Sequence, residues 1–209
     1  MNVVFLGPPG AGKGTQAQRV SKRLGIPHVS TGEIFRAAIA AGSELGKQVE
    51  RVIASGQLVP DTLTNEIVRE RLSQPDAAQG AMLDGYPRSV AQAQFLAQIG
   101  WATTAVVNIA VPDDVLVRRL SGRRVCAACK AIDHVETAPD GICRTCGGKL
   151  TQRADDAPES VSQRLVVYHE VTAPLEDWYS ANGNLLTIDG SLDIDAVTEA
   201  ILAALECGA

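Results

Sequence analysis

The chain has 209 residues, of which 45% are hydrophobic, enough for one sizeable core with a small inserted module. A net charge of −5 excludes a global basic field that would hold a nucleic-acid backbone. No apolar stretch approaches the length that spans a bilayer, and the short run Val3-Val4-Phe5-Leu6 lacks a basic leader, so the expected compartment is the cytoplasm.

Residues 2–6 are a short β-branched and aromatic run and predict a buried strand. A helix is expected over 13–24 and a second strand over 28–30. Helices follow over 34–41, 45–55 and 63–72. Further strands are expected over 81–83, 105–109 and 185–188, with a terminal helix from near Asp193. Apolar strands alternating with amphipathic helices predict an α/β fold, a parallel five-stranded sheet with helices on both faces. Ligands in such sheets lie beyond the carboxyl ends of the strands. Function is therefore expected at Leu6-Gly7, Ser30-Thr31, Leu83-Asp84 and Ile188-Asp189. Residues 122–156 break the pattern. This stretch is rich in Cys, Gly and Asp, cannot build a core of its own, and reads as an inserted module stapled by metal.

Gly7-Pro8-Pro9-Gly10-Ala11-Gly12-Lys13-Gly14-Thr15 directly follows the first strand and opens the first helix. That is the context of a phosphate-binding loop. The glycines let the backbone curl around an anion, and the helix N-terminus adds partial positive charge. Lys13 is expected against the β and γ phosphates. Gly14 stands where Ser or Thr is usual after the lysine, with Thr15 one position later, so the usual hydroxyl ligand to magnesium is not expected there.

Cys126 and Cys129, with Cys143 and Cys146, form two CxxC pairs. In a reducing compartment such pairs favour metal over disulfides, and four thiolates suit tetrahedral zinc. The gap between the pairs is somewhat shorter than in a usual zinc ribbon. With no open coordination position the site is expected to be structural. Gly147 helps the turn after the second pair, and Cys207 is read as a free thiol without a role.

Residues 7–18 read GPPGAGKGTQAQ. Ser30-Thr31-Gly32 precedes Arg36, and Asp84-Gly85-Tyr86-Pro87-Arg88 is followed by Gln92. Gly122-Arg123-Arg124-Val125 opens the inserted segment, Arg153-Ala154-Asp155-Asp156 closes it, and Arg164 follows. Together these motifs resemble the adenylate kinase family, in its long-lid form, over nearly the whole chain. The resemblance implies the P-loop nucleoside monophosphate kinase fold with a small acceptor-binding helical insertion and a zinc-bearing lid. It implies a core formed by residues 1–29, 60–121 and 157–209, an AMP-binding domain over 30–59 and a lid over 122–156. The implied activity is reversible phosphoryl transfer from Mg-ATP to AMP, giving two ADP and serving adenine nucleotide homeostasis. The implied cofactors are magnesium with ATP and structural zinc.

By the same resemblance, AMP is met by Thr31, Arg36, Gln57, Leu58, Val59, Gly85, Tyr86, Pro87, Arg88, Gln92, Arg153 and Arg164. Gln92 would read the adenine edge, since an amide both donates and accepts, and a cis peptide is expected before Pro87. ATP is met by Gly10, Ala11, Gly12, Lys13, Gly14, Thr15, Arg119, Arg123, the backbone of Ile132 and Asp133, and the carbonyl of Leu192. Asp84 would hold magnesium through water, with Glu33 assisting, and His134 would sit near the ATP ribose. Asp133 and Thr137 stand where aromatic residues are frequent, which removes aromatic packing over the adenosine. Phosphoryl transfer needs alignment, charge neutralisation and exclusion of water rather than a nucleophilic side chain. Lys13, Arg88, Arg123, Arg153 and Arg164 fit that need, because each guanidinium clamps phosphate oxygens bidentately. Arg124 is read as structural.

The alternative within the same fold is a UMP/CMP kinase, against which Gln92 and the long lid argue. A guanine-nucleotide switch would carry an NKxD motif, which is missing. A nucleic-acid binder would interleave aromatics with basic residues, yet only 4% of the chain is aromatic. The expected partners are ATP, AMP and ADP, with no nucleic acid and no membrane. The expected state is a monomer whose lid and acceptor-binding parts close to exclude water.

Overall fold

In the computed structural model, which describes residues 1–207, β1 (Val3–Leu6) is the middle strand of a five-stranded parallel sheet. Its four residues are all buried because helices cover both faces. Successive side chains point to opposite faces. Val3 and Phe5 therefore join Ala17, Val20, Met82, Val107, Ile109 and Ile201 in one core. Val4 and Leu6 join Val29, Leu83, Tyr86, Leu96, Val106 and Leu175 in the other.

The chain leaves β1 through α1 (Lys13–Leu24) and returns as β2 (His28–Ser30), at one edge of the sheet. β3 (Met82–Asp84) fits between β2 and β1, with Val4 opposite Leu83. β4 (Ala105–Ala110) pairs with the other side of β1, with Val4 opposite Val106. The order reverses here, so the carboxyl ends of β1, β3 and β4 open onto a crevice. Gly7 follows β1 at φ 130°, and a Cβ there would stand 2.5 Å from the Ile109 carbonyl oxygen. Only glycine permits that approach to β4.

After β2, α2 (Thr31–Ala40) and α3 (Glu44–Ala54) form a hairpin with its own small core of Phe35, Val49 and Val59. α2 begins three residues before the expected start. Ser30 Oγ caps it by accepting from Glu33 N at 3.4 Å, so the cap rather than the apolar periodicity sets the start. α4 (Asp61–Leu72) likewise starts earlier than expected, directly after Pro60. Helices that the sequence reading did not single out are α5 (Val90–Gln98) and α6 (Asp113–Gly122).

The inserted segment folds as an antiparallel sheet of β5 (Arg123–Cys126), β6 (Ile132–His134) and β7 (Leu150–Thr151), in the order β6-β5-β7. Its apolar cluster is limited to Cys126, Ala138, Cys143 and Leu150, with Ala131 against it. Then come α7 (Pro158–Val167), a π-helical turn at Tyr168–Thr172 and α8 (Pro174–Ala181), also unanticipated. β8 (Leu185–Asp189) closes the sheet beside β4, and α9 (Ile194–Cys207) packs on α1. Among the described residues no helix is long and apolar enough to cross a membrane.

Candidate active site

Gly10 and Gly12 take φ 88° and 102°, which wraps the loop over the end of β1 and starts α1 at Lys13. No side chain caps this helix, so its first amides face the loop's interior, the arrangement that receives an anion. Lys13 Nζ donates to the carbonyls of Gly7 at 2.6 Å and Pro8 at 2.8 Å. Burial pulls its pKa down to about 7; Asp84 opposes the drop, while Arg88, Arg164 and Arg123 add to it.

A Cβ on Gly14 would lie 3.3 Å from Asp84 Oδ2. The position after the lysine therefore abuts a carboxylate at the end of β3, which gives the missing hydroxyl a physical reason. Asp84 is 9% exposed, and His28 Nε2 lies 3.4 Å from its Oδ2. Burial would raise the Asp84 carboxyl, but His28, Lys13 and Arg88 outweigh it and hold it below the usual carboxylate range.

The arginines converge on this point. Arg123 clamps Asp156 bidentately, Nε to Oδ2 at 2.7 Å and Nη2 to Oδ1 at 2.5 Å. Arg164 Nη1 donates to the Asp155 carbonyl at 2.8 Å and to Asp156 Oδ1 at 3.0 Å. Arg88 Nε donates to Gly85 O at 2.8 Å, its N–H donates to Gln92 Oε1 at 2.7 Å, and its carbonyl accepts from Thr172 Oγ1 at 2.9 Å. Arg153 has its pKa lowered to about 10, by burial first and then by Arg123 and Arg36. Burial likewise lowers Arg36, Arg88 and Arg164. Arg36, Arg88, Arg123, Arg153, Arg164 and Lys13 outnumber the carboxylates of Asp84, Asp155 and Asp156. Such an excess of cations, partly desolvated, attracts a polyanion.

Two cavities meet there. One is lined by Thr31, Arg36, Gln57, Leu58, Val59, Gly85, Arg88, Gln92 and Arg164, all expected at the acceptor. Phe35, Ile53, Thr64 and Asp155 also line it and were not foreseen. The other is lined by Lys13, Pro9, Pro87, Tyr168 and Thr172, among others. Both include Gly85, Arg88 and Arg164.

Some expected residues stand elsewhere. The Tyr86 ring is fully buried beneath the cleft and its hydroxyl donates to Asn65 Oδ1 at 2.5 Å, so the side chain does not face a ligand. The peptide between Tyr86 and Pro87 is cis, as anticipated. Arg153 does not line the acceptor cavity, although it is electrostatically coupled to Arg36 and Arg123. Arg119 Nη2 donates to Gly190 O at 3.0 Å, tying α6 to the loop that carries the exposed Leu192. Ile132 is exposed on β6. Asp133 is buried and accepts from Arg144 N at 3.2 Å and Nε at 2.6 Å, so its side chain braces the second cysteine turn. The His134 ring packs on Gly122 with Nε2 3.2 Å from Arg118 O, at the root of the inserted segment and not in either cavity.

The adenylate kinase family model matches residues 5–184. Over 213 residues, covering 99% of each chain, the protein is 50% identical to adenylate kinase of Kosmotoga olearia. It is 51% identical to that of Moorella thermoacetica over 212 residues, 98% of each chain. It is also 47% identical to that of Archaeoglobus fulgidus over 213 residues, 99% of this chain and 98% of the relative.

The chain belongs to the adenylate kinase family. It is thus an enzyme, a nucleoside monophosphate kinase, and these relatives give no support to the UMP/CMP alternative.

In this adenylate kinase the four paired cysteines bring their sulfur atoms within 4.8 Å of one another. Cys126 and Cys146 Sγ are 3.5 Å apart, and Cys129 and Cys143 Sγ 3.7 Å. A disulfide needs about 2.05 Å. Sulfurs at about 2.3 Å from a tetrahedral zinc stand roughly 3.8 Å apart, so the donor set fits zinc. Lys130 (φ 62°) and Gly147 (φ 74°), each directly after a CxxC pair, make the matching left-handed turns. Backbone N–H groups of Cys129 and Ala128 lower the Cys126 thiol, whereas the neighbouring sulfurs raise that of Cys129, so the cluster sheds its first proton at Cys126.

Asp61 and Asn65, one turn apart on α4, were not singled out, yet they hold Gln92 and Tyr86 respectively. Thr172 was missed as well. Single polar residues on amphipathic helices carry no local sign that they face a site.

Proposed function

We propose that the protein transfers the γ-phosphoryl group of Mg-ATP to AMP, reversibly, giving two ADP and balancing the adenine nucleotide pool. The observation that carries this reading is the meeting of two cavities at Arg88 and Arg164, with Lys13 on one side and Arg36 on the other. A donor tail entering along the phosphate loop and an acceptor phosphate held by Arg36 would then face each other in line.

In this reading the amides of residues 10–15 and Lys13 hold the β and γ phosphates. Arg88 and Arg36 hold the AMP phosphate, and Arg123, Arg153 and Arg164 neutralise charge spreading over the transferred group. An oxygen of the AMP phosphate attacks the γ-phosphorus, the bond to the β–γ bridging oxygen breaks, and ADP leaves. The attacking oxygen carries no proton at neutral pH, so no general base is required. Asp84, with Glu33 assisting, would hold magnesium through water; the ion, when bound, would supply charge neutralisation on the phosphates. Arg119, the backbone of Ile132 and Asp133, and the Leu192 carbonyl would border the ATP adenosine. Thr31, Gln57, Leu58, Val59, Gly85 and Gln92 would border AMP.

We divide the chain into a core of residues 1–29, 60–121 and 157–209, an AMP-binding part of 30–59 and a lid of 122–156. The lid would be held by zinc at Cys126, Cys129, Cys143 and Cys146. The separate apolar clusters of the hairpin and the inserted sheet support that division. We take the enzyme to be a cytoplasmic monomer.

An acceptor panel of AMP, GMP, UMP and CMP with Mg-ATP tests the reading, by measuring nucleoside diphosphate formed. AMP should exceed each pyrimidine nucleotide by at least about 10²-fold in kcat/KM, the scale of a missing buried hydrogen-bond partner. No ADP from ATP plus AMP, or a preference for UMP or CMP, would defeat it.

A further inference from the structure

The Gln92 amide is gripped from two sides. Arg88 N–H donates to its Oε1 at 2.7 Å, and its Nε2 donates to Asp61 Oδ1 at 2.6 Å. A backbone N–H only donates and an ionised carboxylate only accepts. These two partners therefore decide which end of the amide is oxygen and which is nitrogen. Asp61 is itself fixed, because its Oδ2 accepts from Ser89 Oγ at 2.9 Å. It opens α4, and Asn65 on the next turn holds Tyr86 in the loop that carries Arg88.

An amide has two donor hydrogens and two acceptor lone pairs. After both contacts, Gln92 keeps one N–H and one lone pair to offer, and the residue lines the acceptor cavity. A 6-aminopurine offers the matching edge, with an accepting N1 beside a donating amino group. A 6-oxopurine offers the reverse, with a donating N1–H beside an accepting oxygen, and would suit the amide turned by half a rotation.

We propose that Asp61 is a specificity-positioning residue: by holding the Gln92 amide in one orientation, its carboxylate selects a 6-aminopurine monophosphate over a 6-oxopurine monophosphate. This rests on the reading of Gln92 as the residue that meets the acceptor base. A carboxylate in the first turn of a helix also favours the helix electrostatically. That effect alone would alter stability and treat both acceptors alike.

The test compares kcat/KM for AMP and for inosine monophosphate in the wild type, Asp61→Ala, Asp61→Asn and Gln92→Ala, together with the KM for ATP. In Asp61→Ala the AMP-to-IMP ratio should fall about tenfold, the scale of one charge-assisted hydrogen bond. The KM for AMP should rise while that for ATP stays. Asp61→Asn keeps one acceptor oxygen and should recover part of the ratio; it carries the comparison if the alanine variant does not fold. An unchanged ratio, or equal losses for both acceptors, overturns the role of Asp61 if Gln92→Ala still collapses the ratio. A ratio that survives Gln92→Ala refutes base reading by Gln92, and the role of Asp61 falls with it.

Discussion

Asp156 offers a sharp test of the arginine cluster. It is fully buried and takes three hydrogen bonds of 2.5 to 3.0 Å, two from Arg123 and one from Arg164. Asp156→Asn keeps the shape but removes the charge, and it turns an amide toward a guanidinium that only donates. Arg164 retains Asp155 Oδ2 at 3.1 Å, so Arg123, left with at most the one amide oxygen, is the group without a countercharge. Breaking a buried pair costs about 3–5 kcal/mol. The Arg123 side chain is 14% exposed, so water recovers some of this, and about 3 kcal/mol is expected. For a chain of this size that is a fall in Tm of about 6–12 °C. Arg123 would also lose its aim, lowering kcat by about 10²-fold, the scale of a catalytic group displaced by an ångström. Calorimetry and steady-state ADP formation measure both. Mg-ATP should stabilise the variant more than the wild type, because phosphate returns an anion to Arg123. A Tm within 2 °C of wild type, with kcat within about twofold, would refute the claim that Asp156 aims and neutralises Arg123.

Lys13, with its pKa lowered from 10.5 to about 7, gives up its proton in the folded enzyme while the unfolded chain still holds it. Unfolding then takes up a proton between about pH 7 and 10.5, and this group's contribution to stability rises with pH across that window. A phosphate would restore the charge, so nucleotide binding at pH 8 should take up as much as about one proton in the wild type and none in Lys13→Met. Titration calorimetry in two buffers of different ionisation enthalpy reads this directly. Chelation of the metal should melt the inserted segment, measured as faster amide exchange over 122–156, while β1, β3 and β4 stay protected; uniform exchange throughout would argue against a locally structural metal. Thr172→Val removes the hydroxyl that holds the Arg88 carbonyl and should cost about 1 kcal/mol and about fivefold in kcat/KM for AMP. An unchanged KM for AMP would mean that Arg88 is positioned without it.

The two sides of the site differ in how they treat charge. On one side, Arg123 at the start of the inserted segment and Arg164 on α7 are paired with Asp155 and Asp156, which keeps desolvated guanidinium groups tolerable before a ligand arrives. On the other side, Lys13 and Arg88 rest mainly on carbonyl oxygens, which compensate less. This second side therefore gains most from phosphate, consistent with the depressed affinity of Lys13 for its proton.

Local chemistry made much of this protein legible from its residues in order. The phosphate loop is contiguous, so its glycines and Lys13 declare themselves. The β-branched runs mark β1 and β4, and the doubled CxxC spacing marks the four-cysteine cluster that the fold assembles. Residue order could not show the contacts that give those parts their aim. Arg123 meets Asp156 across 33 positions, Gln92 meets Asp61 across 31, and Thr172 meets Arg88 across 84. The buried placement of Tyr86 and the inward turn of Asp133 onto Arg144 likewise followed from packing. A strand or a loop is specified by neighbours along the chain, whereas a buried charge can be satisfied by whichever distant partner the folded sheet and helices bring within hydrogen-bond reach.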